Sequence, residues 1–262
     1  MKTALCQINP VVGDCSGNAS RIIDCFTDPA YRDVDLFVFP ELCIHGYPPR
    51  DLLERPGFIE RGYAALDRIC AASKKHPDAG LVLGTVLRSR EQGGKGLANA
   101  AVLISGGEVV HRQDKTLLPT YDVFDEHRYF DPARSTGTVS FRDETVGFLI
   151  CEDAWNDPDM WERRMYDIDP VATLVEKKPT LIVSISASPF HLNKERLRRT
   201  IMCTHARKHG VPFVFVNQVG GNDELVFDGA SMVVDGGGDV CFLAPIFEED
   251  VGIVDTKELV PS

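Results

Sequence analysis

Short apolar runs that end in turn residues recur along the chain, the pattern of strands buried in packed sheets. They occupy Thr3–Ile8, Val34–Phe39, Gly80–Leu87, Ala98–Ile104, Thr145–Ile150, Thr180–Ser186, Pro212–Asn217, Ala230–Val234 and Val251–Val254. Three stretches between them carry a helical pattern. Gly17–Phe26 follows Ser16, a suitable N-cap. Gly57–Lys75 sets Ile59, Tyr63, Leu66 and Ile69 near helical spacing and stops before His76-Pro77. Asn193–His209 starts at a residue that caps well, presents basic side chains outward and ends at Gly210. Two pairs of runs read as hairpins. Ala100–Ile104 and Glu108–His111 flank Ser105-Gly106-Gly107, and Ser231–Val234 and Val240–Leu243 flank Asp235–Asp239. Strand–helix–strand units interleaved with hairpins imply mixed sheets. The expected α/β architecture packs sheets face to face with helices outside, in one domain over residues 1–262.

Composition narrows the class. The 262 residues are 44% hydrophobic and 26% charged, which is globular rather than disordered or fibrous. A chain of this length buries enough core to need neither disulfides nor a metal. Its net charge is −11 with no Lys/Arg-rich run, which argues against nucleic acid and anionic membranes as partners. The opening MKTALCQINP lacks the apolar core of a signal peptide, and no run approaches the ~18 apolar residues of a membrane span. A cytoplasmic location is expected. The eight cysteines are scattered without a CxxC pair, so seven of them read as small buried hydrophobes. No His/Cys pair has the spacing of zinc ligands, so no metal centre is expected.

Three segments place a reactive residue at the end of an apolar strand. Glu41 follows Leu36-Phe37-Val38-Phe39-Pro40. A carboxylate at such an edge is partly desolvated and a better proton acceptor. Taken alone, it reads more simply as a surface glutamate. Lys115, in HRQDKTLLPTYDVF, reads alone as a solvated lysine and in a site as a cation beside a developing oxyanion. Cys151 ends Gly147-Phe148-Leu149-Ile150 and precedes Glu152-Asp153-Ala154-Trp155. A helical turn starting at Glu152 is expected to lower the thiol pKa and to offer N–H groups to an oxyanion; otherwise Cys151 is an inert buried thiol. Together the three form a nucleophile, a proton carrier and an oxyanion stabiliser without histidine. His45 and His127 fall nearest and stay minor candidates, so a Cys–His protease has little support.

These residues carry a resemblance. FPEL at 39–42, KTLLPTYDVFDEHRYF at 115–130 and LICEDAW at 149–155 resemble, in order, the three signature blocks of the nitrilase (carbon–nitrogen hydrolase) superfamily. The resemblance runs from QINPVVGD to DGASMVVD and implies a four-layer α-β-β-α sandwich of two mixed sheets. More narrowly, GYPPRDLL at 46–53, LPTYDVFDEHRYF at 118–130, CEDAW at 151–155 and ASPFHLNK at 187–194 resemble the glutaminase domain of glutamine-dependent NAD synthetases. That implies Glu41 as general base, Lys115 as oxyanion stabiliser, Cys151 as nucleophile and Glu126 as a supporting acid. It implies Tyr121, Ser188 and Lys194 as glutamine-binding residues, with Glu152 and Phe124 lining the same pocket. No cofactor is implied. Arg50 stands where the family often has an acid.

The implied reaction is hydrolysis of L-glutamine to glutamate and ammonia for NAD synthesis, through a thioester. In the family the ammonia passes to an ATP-using synthetase domain. The SGGxDS loop of that domain has no counterpart, because Ser105-Gly106-Gly107-Glu108 lacks the Asp and Ser and falls in a hairpin turn. The synthetase domain is therefore expected to be absent, and a separate domain or subunit would receive the ammonia. A freestanding amidase acting on another small ω-amide or N-carbamoyl compound is the alternative, and a non-catalytic regulatory subunit ranks below both. The superfamily's habit of packing sheets between copies implies a homo-oligomer.

Overall fold

The structure is a computed structural model that describes residues 1–91, 93–161 and 164–259. Its elements run β1 (Lys2–Gln7), α1 (Cys15–Thr27), β2 (Leu36–Val38), α2 (Pro56–Ser73), β3 (Gly80–Arg88), β4 (Leu97–Ser105) and β5 (Glu108–Asp114). Then follow α3 (Glu126–Tyr129), β6 (Thr138–Phe141), β7 (Glu144–Ile150), α4 (Pro170–Val175), β8 (Leu181–Ser186) and α5 (Lys194–His209). The remaining strands are β9 (Phe213–Asn217), β10 (Val219–Asn222), β11 (Leu225–Asp228), β12 (Met232–Val234), β13 (Val240–Leu243) and β14 (Asp250–Asp255).

Two six-stranded sheets result, ordered β14-β1-β2-β3-β4-β5 and β13-β12-β9-β8-β7-β6. In the first, β1, β2 and β3 are parallel and the outer pairings antiparallel. In the second, β7, β8 and β9 are parallel, again with antiparallel flanks. The mixed sheets expected from the hairpins are present.

Alternation along the strands sorts side chains into layers. Leu5, Leu36, Val38 and Val82 of the first sheet pack with Phe148, Ile150, Val183 and Val214 of the second, forming the core between sheets. The intervening residues point outward. Ala4, Phe37, Phe39 and Leu81 meet Ile22 and Phe26 of α1 and Phe58, Ile59 and Ile69 of α2. Leu149, Ile182, Phe213 and Phe215 meet Val171 and Leu174 of α4 and Ile201 and Met202 of α5. The layers are therefore α-β-β-α. Each fully buried Leu, Ile or Phe contributes about 1.5–3 kcal/mol, so the double-sided strands bind the four layers into one body.

Several local expectations need correction. The N-cap of α1 is Asp14, whose Oδ1 accepts from Gly17 N at 2.8 Å, not Ser16. Asn193 makes no side-chain cap on α5; it holds a left-handed φ of 68° instead. The apolar run before Glu41 forms a strand over Leu36–Val38 alone. Of the seven cysteines read as buried, Cys25, Cys70 and Cys203 are half-buried and Cys241 is exposed on β13; all eight are free thiols. The β10–β11 hairpin, β6 and α4 carry no strong periodicity. Their amphipathic pattern is too short to read. Among the described residues, no helix is long and apolar enough to cross a membrane.

Candidate active site

After β2 the chain turns across the face of β3, where Phe39 N–H donates to Val82 O at 2.8 Å and Gly84 N–H to Pro40 O at 3.1 Å. A Cβ at Gly84 would lie 2.1 Å from Leu42 N and 2.6 Å from Glu41 Cα, so this close crossing requires glycine. It drives the Glu41 side chain into the fully buried interior. Lys115 follows β5; its N–H donates to Asn99 O and its carbonyl accepts from Ala133 N, both at 2.8 Å. Glu126 opens α3.

These three side chains converge. Lys115 Nζ donates to Oε1 of Glu41 and to Oε1 of Glu126, each at 2.7 Å. Asn99, on β4, donates to Glu41 Oε1 at 2.7 Å and to Glu126 Oε2 at 3.3 Å. Tyr47 O–H donates to Glu126 at 2.8 Å, and Ala187 N–H donates to Glu41 Oε2 at 2.9 Å. Burial alone would lower the Lys115 pKa. The Glu126 and Glu41 charges outweigh it and hold the ammonium well above its ordinary range. Burial raises Glu126, opposed by Lys115 and assisted by Glu41.

Cys151 directly follows β7 and begins a 3₁₀ turn over Cys151–Ala154, with a left-handed φ of 46°. This strained backbone lifts the thiol off the strand end. Burial and the Glu41 charge push its pKa up to about 12, against the pull of Lys115 and the Ser186 hydroxyl. The turn therefore does not yield the resting thiolate expected from sequence; the thiol is neutral and needs a base. Asp153, two residues on, braces the site. Its Oδ1 accepts from Thr116 N at 3.0 Å and Leu117 N at 2.8 Å, and its Oδ2 from Ile150 N at 3.1 Å. One carboxylate thus ties the segment after Lys115 to the strand end before Cys151.

A second polar group lies beside the first. Both oxygens of Glu152 accept from Tyr121 O–H, at 2.8 and 2.9 Å, and Oε1 accepts from Tyr166 O–H at 3.1 Å. Burial raises the Glu152 pKa, and the Tyr121 bond, the Lys115 charge and the Tyr166 bond counter it. Lys194 Nζ lies 5.8 Å from the Phe124 ring centroid and 5.7 Å from that of Trp155. Burial lowers its pKa, opposed by Cys151 and Glu152. Ser188 is placed through its backbone: its N–H donates to Asn217 Oδ1 at 2.8 Å and its carbonyl accepts from the buried Arg198. Arg198 in turn pairs with Asp228. A cleft of about 560 Å³ adjoins on the Glu126 side, lined by Tyr47, Phe124 and Tyr129 among others.

The nine residues singled out from sequence thus fall into one region. Neither histidine joins it. His45 is buried against α2, its Nδ1 accepting from Val86 N at 3.3 Å, and burial drives its pKa to about 3. His127 is exposed on α3. Sequence reasoning missed Asn99, Asp153, Tyr166 and Trp155. Asn99 had a signal: a lone amide in the apolar run of β4, where polar side chains are rare without a partner.

The chain belongs to the carbon–nitrogen hydrolase family, whose profile matches residues 2–260. It is 39% identical over 254 residues to the glutamine-dependent NAD(+) synthetase of Synechocystis, an alignment covering 96% of this chain and 45% of that protein. It is 37% identical to the glutamine-dependent NAD(+) synthetase of Thermotoga maritima, covering 97% of this chain and 42% of that one. The chain thus spans less than half the length of these curated relatives. A solved glutamine-dependent NAD+ synthetase from Acinetobacter baumannii superposes with a TM-score of 0.85 at 31% identity, covering all of this chain and 47% of that one. A Nesterenkonia amidase of the nitrilase superfamily shares the fold, with a TM-score of 0.81 at 22% identity over 97% of this chain and 90% of that one.

Proposed function

We propose that this chain is a cysteine amidase that hydrolyses L-glutamine to glutamate and ammonia. The observation that carries the reading is the buried Glu41–Lys115–Glu126 cluster beside the neutral thiol of Cys151. Glu41 takes the thiol proton as Sγ attacks the carboxamide carbon. Lys115 and N–H groups of the Cys151 turn stabilise the tetrahedral oxyanion. The C–N bond breaks, Glu41 returns its proton to the leaving nitrogen, and ammonia departs from a thioester. Water then attacks, Glu41 takes its proton, and glutamate leaves as the thiol is restored. Glu126 and Asn99 hold Lys115 and Glu41 in place throughout.

The neighbouring polar group suits an amino-acid amide. Glu152, whose charged form two tyrosyl donors favour, pairs with the substrate α-ammonium. Lys194 offers its ammonium to the α-carboxylate, with Ser188 at the loop before it. The similarity to glutamine-dependent NAD(+) synthetases across almost the whole chain supports glutamine as the substrate. On this reading the chain works as one glutaminase domain in the cytoplasm, assembles with copies of itself, and feeds ammonia to a NAD synthetase domain or subunit.

The test is glutamate and ammonia release from L-glutamine by the purified chain and by Cys151→Ala, with asparagine and short ω-amides alongside. Turnover of glutamine lost in the variant supports the reading. Cys151-dependent cleavage of another amide, with glutamine untouched, replaces it with a freestanding amidase. If every substrate fails, addition of a NAD synthetase domain in trans decides whether the chain is dormant or inactive.

A further inference from the structure

In the C-terminal part of α5, His205 and His209 stand four residues apart, one above the other on the same helix face. Their rings stack with centroids 6.1 Å apart. Asp157, in the segment that follows the Cys151 turn, faces them, with Oδ2 3.6 Å from Nδ1 of His205. Asp157 and His205 are fully buried and His209 half-buried. His205 Nε2 lies 2.8 Å from the Ala154 carbonyl, which accepts only, so the proton sits on Nε2. Its Nδ1 is therefore a bare lone pair aimed at a carboxylate. Among the described residues, neither that atom nor Nε2 of His209 has a hydrogen-bond partner. A buried orphan of this kind is costly unless something electropositive sits among the lone pairs.

We propose that Asp157, His205 and His209 form a binding site for one divalent transition-metal ion of the zinc class. Two imidazoles and one carboxylate favour zinc, cobalt or nickel over magnesium or calcium. The three donor atoms lie within 4.8 Å of one another. Ligands around a tetrahedral zinc stand about 3.4 Å apart. The Asp157–His205 pair, at 3.6 Å, already comes near that spacing. A water completes the set. The Ala154 carbonyl is the outer partner that metal-bound imidazoles usually have, fixing tautomer and ring plane. Because Ala154 ends the turn that carries Cys151, the ion would clamp that turn and the following segment onto α5. The histidine pair spans one helical turn and its carboxylate comes from a distant segment, so short Cys/His spacings in the sequence do not mark the group.

Lys208 provides the discriminating feature. Its Nζ donates to both oxygens of Asp157 at 2.9 Å and to Asp159 at 2.6 Å. Ion and ammonium compete for the same carboxylate, and Lys208 retains Asp159 when displaced. Removing the ammonium should therefore tighten metal binding.

The tag-free 262-residue chain, stripped with a chelator, would be titrated with Zn²⁺ by calorimetry and with Co²⁺ by visible absorption at neutral pH, together with His209→Ala and Lys208→Met. Both substitutions fall on partly exposed side chains, and circular dichroism checks that the variants fold. The expected result is one equivalent of Zn²⁺ with a rise in Tm, and a Co²⁺ spectrum of tetrahedral type. Affinity should fall about tenfold or more in His209→Ala and rise several-fold in Lys208→Met. No binding overturns the proposal. So does weak binding of several equivalents that ignores His209→Ala, or a Lys208→Met variant that binds less tightly, since either marks an adventitious ion only.

Discussion

The Lys115 ammonium lies 2.7 Å from Oε1 of Glu41, with both side chains fully buried. Desolvating such a pair costs several kcal/mol per ion unless further bonds satisfy it. Here Glu126, Asn99 and the Ala187 N–H supply them. The consequence is a cation that keeps one carboxylate partner while it turns toward an oxyanion, beside a base whose free oxygen never lacks a donor.

Glu41→Gln should separate two properties. Turnover should fall about 10²–10⁴-fold, the usual cost of a lost general base. The same change removes a negative charge that raises the Cys151 pKa. The pH profile of Cys151 alkylation by iodoacetamide should therefore move to lower pH. A profile that moves upward would show that Glu41 does not face the thiol.

Lys115→Met should cost about 10²–10³ in turnover through loss of oxyanion stabilisation. It also leaves Glu41 and Glu126 buried without their cation, which should cost about 3–5 kcal/mol of stability. Adding Glu126→Gln should restore much of the stability in urea melts and none of the turnover. Recovery of turnover in the double variant would assign the oxyanion role elsewhere.

Tyr121→Phe combined with Tyr166→Phe should raise KM for glutamine several-fold and leave kcat nearly unchanged. Both hydroxyls hold the Glu152 carboxylate in its charged form. Without them its pKa rises further, so KM should worsen as pH falls. Kinetics at two pH values check this, and a kcat effect without a KM effect would sink the assignment.

His45 should make the fold acid-sensitive. Its pKa is about 3 when folded against an ordinary 6.5. Below 6.5 the unfolded chain takes up a proton that the folded chain refuses, so stability is full above that pH and is lost progressively as pH falls toward 3. Chemical denaturation of His45→Asn should show a shallower loss between pH 6.5 and 4 than the parent chain. Parallel curves would mean that His45 is accessible to protons in the folded state.

The strands, the hairpins and Glu41, Lys115 and Cys151 were legible because each combines a short-range pattern with an unusual residue at its end. Asn99 and Asp153 were harder. Their partners are backbone and side-chain groups brought in from distant segments, as when Asp153 reaches Thr116 and Leu117. The pKa of Cys151 was misjudged for a related reason. A turn's N–H groups can be read from local sequence, but the burial and the Glu41 charge that override them belong to the assembled sheets. Tyr166 lies in a stretch with no periodicity, so nothing local marked it. Asn193 had the right chemistry for a cap and the wrong backbone.

Glu41, Asn99 and Lys115 are carried by the first sheet and its connections, whereas Cys151 and Ala187 directly follow strands β7 and β8 of the second. The reacting groups therefore face each other across a seam, and the apolar filling between the sheets acts as the gauge block that sets their gap. Side chains such as Val38 and Phe148 fill the core between the sheets, so their bulk bears on the spacing of the two sets of groups. A smaller side chain at either position leaves a cavity between the sheets and loosens that spacing.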